Sequence, residues 1–280
     1  MKINDYEIFT LETGYISLDG GAMFGVVPKT LWQKTNPADE QNRIRLALRT
    51  LIICNDERVI LVDAGVGQKM NEKLSQIYNV DHSRYELLRQ LAQKGIDPAM
   101  ITDVIVTHLH FDHIGGGTYY DNGALKLTFP NATYHVQGEQ WHWANHPSEK
   151  DRASYMLENF QPILEAGKLH ELPGPMELFP GIELLVMYGH THGMQLPKIS
   201  DDQATLLYCA DLIPTASHIP LPYIMAYDNN PMVTLEEKKR LLPQAAEENW
   251  ILVFEHDPFR AAGTIELTDK GYRLRDEIDL

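Results

Sequence analysis

His108-Leu109-His110-Phe111-Asp112-His113 closes the apolar run Val104-Ile105-Val106 and places four side chains able to bind a metal ion within six residues. In extended backbone, side chains alternate between two faces, so His108 and His110 point the same way and can share one cation. A turn then carries Asp112 and His113 to the other side, where a second cation can sit. Gly115, Gly116 and Gly117 follow, removing side chains where backbone must pass close to such a site. Histidines also occupy surface loops and hydrogen-bonded core positions, and the density of this cluster argues against that reading. Four ligands alone would satisfy a structural ion, yet further candidates end strand-like segments downstream. His190 follows Ile182 to Gly189, Asp211 follows Thr205 to Ala210, and His256 follows Trp250 to Glu255. Metal-capable residues repeated at strand ends predict one convergent site on the rim of a sheet, with metal-dependent hydrolysis as its chemistry.

Outward from the motif, Ile44 to Cys54 and Arg58 to Asp63 read as a hairpin around Asn55-Asp56. Tyr85 to Lys94 has helical spacing and stops at Gly95. A hairpin-like pair is expected within Leu125 to Val136, broken by Pro130-Asn131, and a helical stretch over Glu139 to about Phe160. A helix from about Thr234 to Glu248 and a terminal hairpin of Thr264 to Leu267 with Tyr272 to Arg275 complete the chain. Hairpins alternating with helices predict mixed sheets with helices outside. No low-complexity linker divides residues 1–280, so one domain is expected.

The 280 residues, 44% hydrophobic, suffice for an ample core. No segment approaches the roughly 18 to 20 apolar residues that span a bilayer, and the start, Met1-Lys2-Ile3-Asn4-Asp5-Tyr6-Glu7, lacks the pattern of a secretory signal. A cytoplasmic protein with no membrane association is the expectation. Cys54 and Cys209 lie in apolar runs as buried thiols, so no disulfide framework is expected. A formal net charge of −15 disfavours nucleic acid as a partner.

The order His108, His110, Asp112, His113, His190, Asp211, His256 resembles the metallo-β-lactamase superfamily, whose H-x-H-x-D-H motif and downstream His, Asp and His supply a two-metal site. Leu61-Val62-Asp63-Ala64-Gly65 is similar to the family's early strand with its Asp and Gly. The resemblance implies an α/β (α+β) fold, an αββα sandwich with the metals at one edge of the sheets. It implies that His108, His110 and His190 hold one metal, Asp112, His113 and His256 the other, and that Asp211 bridges them. Asp63 looks like the acid that receives the spare ring N–H of a ligand histidine. In Gly189-His190-Thr191-His192-Gly193, the ligand role falls to His190 by motif position, with His192 a neighbour able to share it. Within the superfamily the complement looks like the N-acyl-homoserine lactonases and the methyl parathion hydrolase branch. A lactonase subgroup has tyrosine three residues after the bridging aspartate, and this chain has Pro214 there. Tyr223 and His218 are the candidate replacements as donor to substrate.

Two cations about 3.5 to 4 Å apart share a water and lower its pKa toward neutrality. A bridging hydroxide formed that way is expected to attack a lactone carbonyl, the oxyanion being held by charge already in place. Asp112 is expected to relay a proton to the leaving alkoxide, as both ligand and catalytic acid/base. The all-nitrogen and oxygen donor set suits zinc, with cobalt, manganese or iron as alternatives. Met23 and Phe24, flanked by glycines, are expected to form an apolar lid, and Trp141, Trp143, Ile219, Leu221, Tyr223 and Met225 an acyl pocket. The expected reaction is opening of N-acyl-homoserine lactones in quorum quenching. The alternative is hydrolysis of an organophosphate or aryl ester at the same site. Apolar residues in the proline-rich and Met/Phe loops are candidates for a homodimer contact.

Overall fold

The computed structural model describes residues 1–280. The first sheet takes β1 (Lys2–Ile3), β2 (Tyr6–Asp19), β3 (Arg43–Cys54), β4 (Val59–Val62) and β5 (Asp103–Ile105) in chain order. A separate hairpin of β6 (Thr118–Asp121) and β7 (Ala124–Leu127) intervenes before β8 (Thr133–Gln137) and β9 (Leu169–Leu172) complete it. The second sheet follows as β10 (Met176–Phe179), β11 (Ile182–Met187), β12 (Met194–Ser200), β13 (Thr205–Tyr208), β14 (Ile251–Val253), β15 (Ala262–Thr268) and β16 (Gly271–Ile278).

The period of two along each strand explains the layering. Leu51 and Ile53 of β3, Ile60 and Val62 of β4, and Ile105 of β5 share one core with Leu184, Leu196, Leu206 and Leu252 of the second sheet. Their neighbours Ile52, Leu61 and Val104 face the other way, against Leu87 and Leu91 of helix Leu87–Gln93 and Phe160 and Ile163 of helix Leu157–Glu165. Helix Pro231–Glu247 packs against the second sheet through Leu241, Leu242 and Ala245, which belong to the same apolar cluster. Helix, sheet, sheet, helix is the expected αββα sandwich. Burying each such aliphatic side chain contributes about 1.5–3 kcal/mol. Slipping a strand by one residue would exchange its two apolar faces, so both layers fix the register.

Strand direction positions the functional residues. β4 and β5 are parallel, so Asp63 and the hexapeptide leave the first sheet at the same edge. β13 and β14 are parallel, and β12 is antiparallel to both β11 and β13, so His190, Asp211 and His256 all follow strands running one way. Backbone hydrogen bonds from Ala47 N to His256 O (3.1 Å) and from Gln195 N to Thr107 O (2.9 Å) tie the two edges together. The strand ends at Ile105, so His108 and His110 project from irregular backbone rather than from the extended strand expected, and helix Phe111–Ile114 begins at once. Gly115 and Gly116 let that helix close on the 63–67 loop. A Cβ at Gly115 would collide with the Val66 backbone and one at Gly116 with the Ala64 carbonyl.

Two local expectations are corrected. β7 pairs with β6, not with β8, because Asn122 (φ 51°) and Gly123 (φ 82°) form a tight hairpin turn upstream, and β8 lies parallel between β5 and β9. The helix expected over Glu139 to Phe160 is split into Gly138–Asn145 and Leu157–Glu165. Pro147 disfavours helical backbone at His146, which sits at φ −134° and ψ 52°.

Candidate metal centre

The chain folds so that seven side chains separated by up to 148 positions meet in two groups. His108 Nε2 lies 3.0 Å from His110 Nδ1, and His190 Nε2 lies 3.2 Å from that same Nδ1. Asp211 Oδ2 is 3.0 Å from His190 Nε2, while its Oδ1 is 3.1 Å from His256 Nε2. His256 Nε2 is in turn 3.4 Å from His113 Nε2 and 3.9 Å from Asp112 Oδ2. One carboxylate therefore faces both groups, with a different oxygen toward each. Ala210, at φ 41°, turns the chain sharply to aim Asp211 inward.

The outer ring nitrogens are tied down, which sets the inner ones. His190 Nδ1 donates to Asp228 Oδ1 (2.9 Å), His256 Nδ1 to the Ala47 carbonyl (2.8 Å), and His113 Nδ1 to Asp63 Oδ2 (3.0 Å). Thr107 Oγ1 donates to Asp63 Oδ2 (2.6 Å), leaving its lone pair for His108 Nδ1–H at 3.1 Å. With Nδ1 protonated on these four rings, each turns an Nε2 lone pair toward the cluster. Asp63 does this from a left-handed backbone (φ 58°), a conformation costly for aspartate that surrounding bonds hold in place.

The sequence assigns several of these outer partners no role, although Met225-Ala226-Tyr227-Asp228 is similar to a stretch of lactonase-type superfamily members. Asp228 sits in an ordinary-looking turn before the helix at Pro231, and Thr107 looks like a strand residue. Glu255 adjoins His256, a neighbour that could have raised suspicion. Its Oε2 lies 3.1 Å from His113 Nδ1 without a directed hydrogen bond. Burial raises its carboxyl above the usual range, with His113 opposing and Asp63 reinforcing.

Electrostatics and orphaned atoms test whether cations fit. His110 Nε2, Asp211 Oδ1 and Glu255 Oε2 are buried without hydrogen-bond partners. Burial, then the neighbouring imidazoles, drive His108 and His110 well below the usual imidazole range. Burial is the largest influence and lowers His190 and His256, but Asp211 together with Asp228 at His190 and Glu255 at His256 outweighs it and brings each to about 9. Burial opposes ionisation of Asp211, yet His190, His256 and His113 hold its carboxyl well below the usual range. Buried carboxylates of Asp63, Asp112, Asp211, Asp228 and Glu255 surround inward lone pairs. That donor set matches divalent cations, whose charge replaces the protons the rings would otherwise need.

A cavity of about 100 Å³ opens over the cluster, lined by His110, Asp112, His190, Asp211 and His256 at its floor and by Leu18, Met23, Leu46, Phe111 and Met225 on its apolar side. Met23 is thus placed at the site, but Phe24 is not. It is fully buried in helix Gly20–Phe24, stacked between Trp32 (5.3 Å) and His218 (4.5 Å), so it is core rather than lid. His218 does not reach the cavity either. Its ring nitrogens are used by Thr215 Oγ1 and the Met23 carbonyl. Tyr223 packs edge-on against Phe24 (6.1 Å) and also lies outside the lining. Of the expected acyl pocket only Met225 lines the cavity. Ile219 belongs to the apolar core around the second sheet, and Trp141 packs on Phe160. Trp143 stacks flat on His192 (4.0 Å), which explains why His192 stays out of the cluster.

Comparison with known proteins settles the family. The model of the metallo-beta-lactamase superfamily matches residues 49–256. The chain belongs to the metallo-beta-lactamase superfamily. As a metal-binding hydrolase of this superfamily, it is similar to the N-acyl homoserine lactonase AiiA of Bacillus thuringiensis subsp. kurstaki, 30% identical over 226 residues, 76% of this chain and 82% of the relative. Among solved structures, a probable metal-dependent hydrolase from Staphylococcus aureus superimposes with a TM-score of 0.88 at 31% identity, covering 99% of this chain and 100% of the other. AidC, a dizinc quorum-quenching lactonase in complex with a product N-hexanoyl-L-homoserine, superimposes at 0.82 with 25% identity, covering 100% and 97%. No helix of this superfamily member is long and apolar enough to cross a membrane.

Proposed function

We propose that this hydrolase opens lactone rings, with N-acyl-homoserine lactones as the substrate class and quorum quenching as the role such a substrate implies. The observation that carries the reading is the narrow cavity with one apolar side, whose floor is the His/Asp cluster. It suits a small uncharged ring bearing an acyl chain, and the similarity to AiiA and AidC supports that choice. His108, His110 and His190 would hold one divalent ion, Asp112, His113 and His256 a second, and Asp211 would bridge them, zinc being the expected metal. Bound there, such ions supply Lewis-acid polarisation of a carbonyl and a water of lowered pKa.

The chain's own residues do the rest. Asp63, Asp228, Thr107 and the Ala47 carbonyl hold the ligand rings in one tautomer and orientation, so no reorganisation accompanies turnover. Asp112 lines the cavity beside His113 and His256, where its carboxylate can take a proton from water and return it to the departing ring oxygen. Leu18, Leu46 and Phe111 exclude water from the reacting carbonyl. The core shared by both sheets supports treating residues 1–280 as one catalytic domain. A cytoplasmic enzyme acting on a small molecule, as a monomer or homodimer, completes the proposal.

The test is kcat/KM measured in parallel with an N-acyl-homoserine lactone and an aryl phosphotriester. The lactone should be preferred. A hundredfold preference for the phosphotriester would replace this reading with the organophosphate hydrolase alternative.

A further inference from the structure

A census of hydrogen-bond donors around the cavity leaves few for a substrate. His190 and His256 turn one ring nitrogen to the cluster and bond the other to Asp228 and the Ala47 carbonyl, while His110 turns Nδ1 inward and keeps Nε2, buried beside the Tyr155 ring, without a partner. Lys150 lines the cavity, but its ammonium is spent on the Tyr227 carbonyl (2.8 Å), the Asp228 carbonyl (3.0 Å) and Asn229 Oδ1 (3.5 Å). Tyr155, beside His110, is spent on Thr191 Oγ1 (2.7 Å). Besides that ring nitrogen of His110, the hydroxyls of Tyr78, Tyr227 and Ser154 remain, all three residues lining the cavity.

The two phenols are built for the task. Tyr78 stacks on Phe111 (4.7 Å), the residue between His110 and Asp112, so its ring cannot swing freely. Tyr227 stands on a loop clamped from across the cavity. Lys150 grips its carbonyl, and Asp151 accepts from Asn229 Nδ2 at 2.6 Å. The same clamp bears on Asp228, which orients His190, so the phenol and the metal ligand are held by one strap. A donor fixed before binding loses little entropy when it engages a ligand. Burial first, and then neighbouring acids, raise both, Tyr227 to about 12, so they stay protonated donors at any working pH.

Building on the lactonase reading, we propose that Tyr227, assisted by Tyr78, is the specificity determinant for an acyl amide. Its hydroxyl donates to the carbonyl of the amide that joins chain to ring, the function that the donors expected at Tyr223 and His218 cannot serve from outside the cavity. Tyr227 binds and does not act on the reacting bond, so its effect falls on KM and depends on the substrate carrying the amide.

The experiment compares zinc-loaded wild type, Tyr227→Phe and Tyr78→Phe on N-hexanoyl-homoserine lactone and on α-hexyl-γ-butyrolactone, which carries the chain without the amide. Wild type should prefer the amide-bearing lactone. Tyr227→Phe should cut that preference about tenfold, mainly through KM, as loss of one hydrogen bond predicts. Tyr78→Phe should cut it less. An equal effect on both lactones, or none, overturns the proposal. If wild type opens neither ring, the lactonase reading fails separately, and calorimetric binding of the two ring-opened acids decides. A wild-type preference for the amide-bearing acid that Tyr227→Phe removes upholds the phenol's role, and equal affinities overturn it.

Discussion

Removing the charge that orients His190 should weaken one metal position and spare the other. Asp228 Oδ1 accepts from His190 Nδ1 at 2.9 Å and Oδ2 accepts from Thr234 Oγ1 at 2.8 Å, in a residue only 2% exposed. Asp228→Asn can keep both contacts, with its oxygen toward His190 and its amide donating to the threonine hydroxyl, so it removes charge and little else. A hydrogen bond to a charged acceptor exceeds a neutral one by about 1–1.5 kcal/mol, which converts to roughly tenfold weaker binding at that position. Asp228→Ala removes both contacts and frees the ring to rotate. The loss should approach about 100-fold, with a further stability cost of about 2–3 kcal/mol from the stranded N–H and hydroxyl. Zinc competition against a fluorescent chelator, resolved into its two equivalents, measures the first effect, and urea unfolding measures the second. One equivalent should shift in each variant and the other should hold. Equal weakening of both, or indistinguishable Asn and Ala variants, would refute the claim that Asp228 works by orienting and charging His190.

Asp112→Asn should abolish lactone turnover while leaving the unfolding midpoint within a fraction of wild type; full retained activity would remove Asp112 from the proton-transfer role. Exhaustive chelation should abolish activity, and metal analysis of reactivated protein should find two equivalents per chain, one equivalent being incompatible with Asp211 as a bridge. Lys238 donates from a buried position to the carbonyls of His218 (2.6 Å), Pro220 (2.9 Å) and Tyr223 (3.0 Å). Lys238→Met strands those carbonyls and should cost about 3 kcal/mol or more in urea unfolding. Burial lowers Lys238 to about 7 from its ordinary 10.5, so between those values the unfolded chain holds more protons and this group's contribution to stability rises with pH. The Met variant should lack that slope.

The layers and the ligands were legible because each is written locally. The continuous apolar runs Leu51-Ile52-Ile53 and Ile60-Leu61-Val62 mark strands covered on both faces, and polar residues at strand ends assign the rim. Asp63 is placed behind the ligands by the resemblance of Leu61-Val62-Asp63-Ala64-Gly65 to the superfamily's early strand. The single helix expected over Glu139 to Phe160 is two because the polar stretch Asn145 to Arg152, with Pro147 inside it, separates the apolar residues that each helix buries. The substrate wall was misread for a different reason. Proximity of apolar residues to a motif does not make them lining, because Phe24, Trp141 and Ile219 are consumed by the core and Trp143 by stacking on His192.

By itself, then, the order of residues determined mixed sheets with helices outside and a rim of metal-capable side chains, since these are properties of short stretches, and its resemblance to the superfamily implied the αββα layering and the sevenfold ligand set. Only the tertiary structure decided which oxygen of Asp211 faces which histidine, that Asp228 and Glu255 stand behind the ligands, and that Tyr227 rather than Tyr223 or His218 meets the cavity. Those outcomes depend on where loops far apart in the chain are pinned across space, as Lys150 pins the loop at Tyr227, and no local pattern encodes that closure.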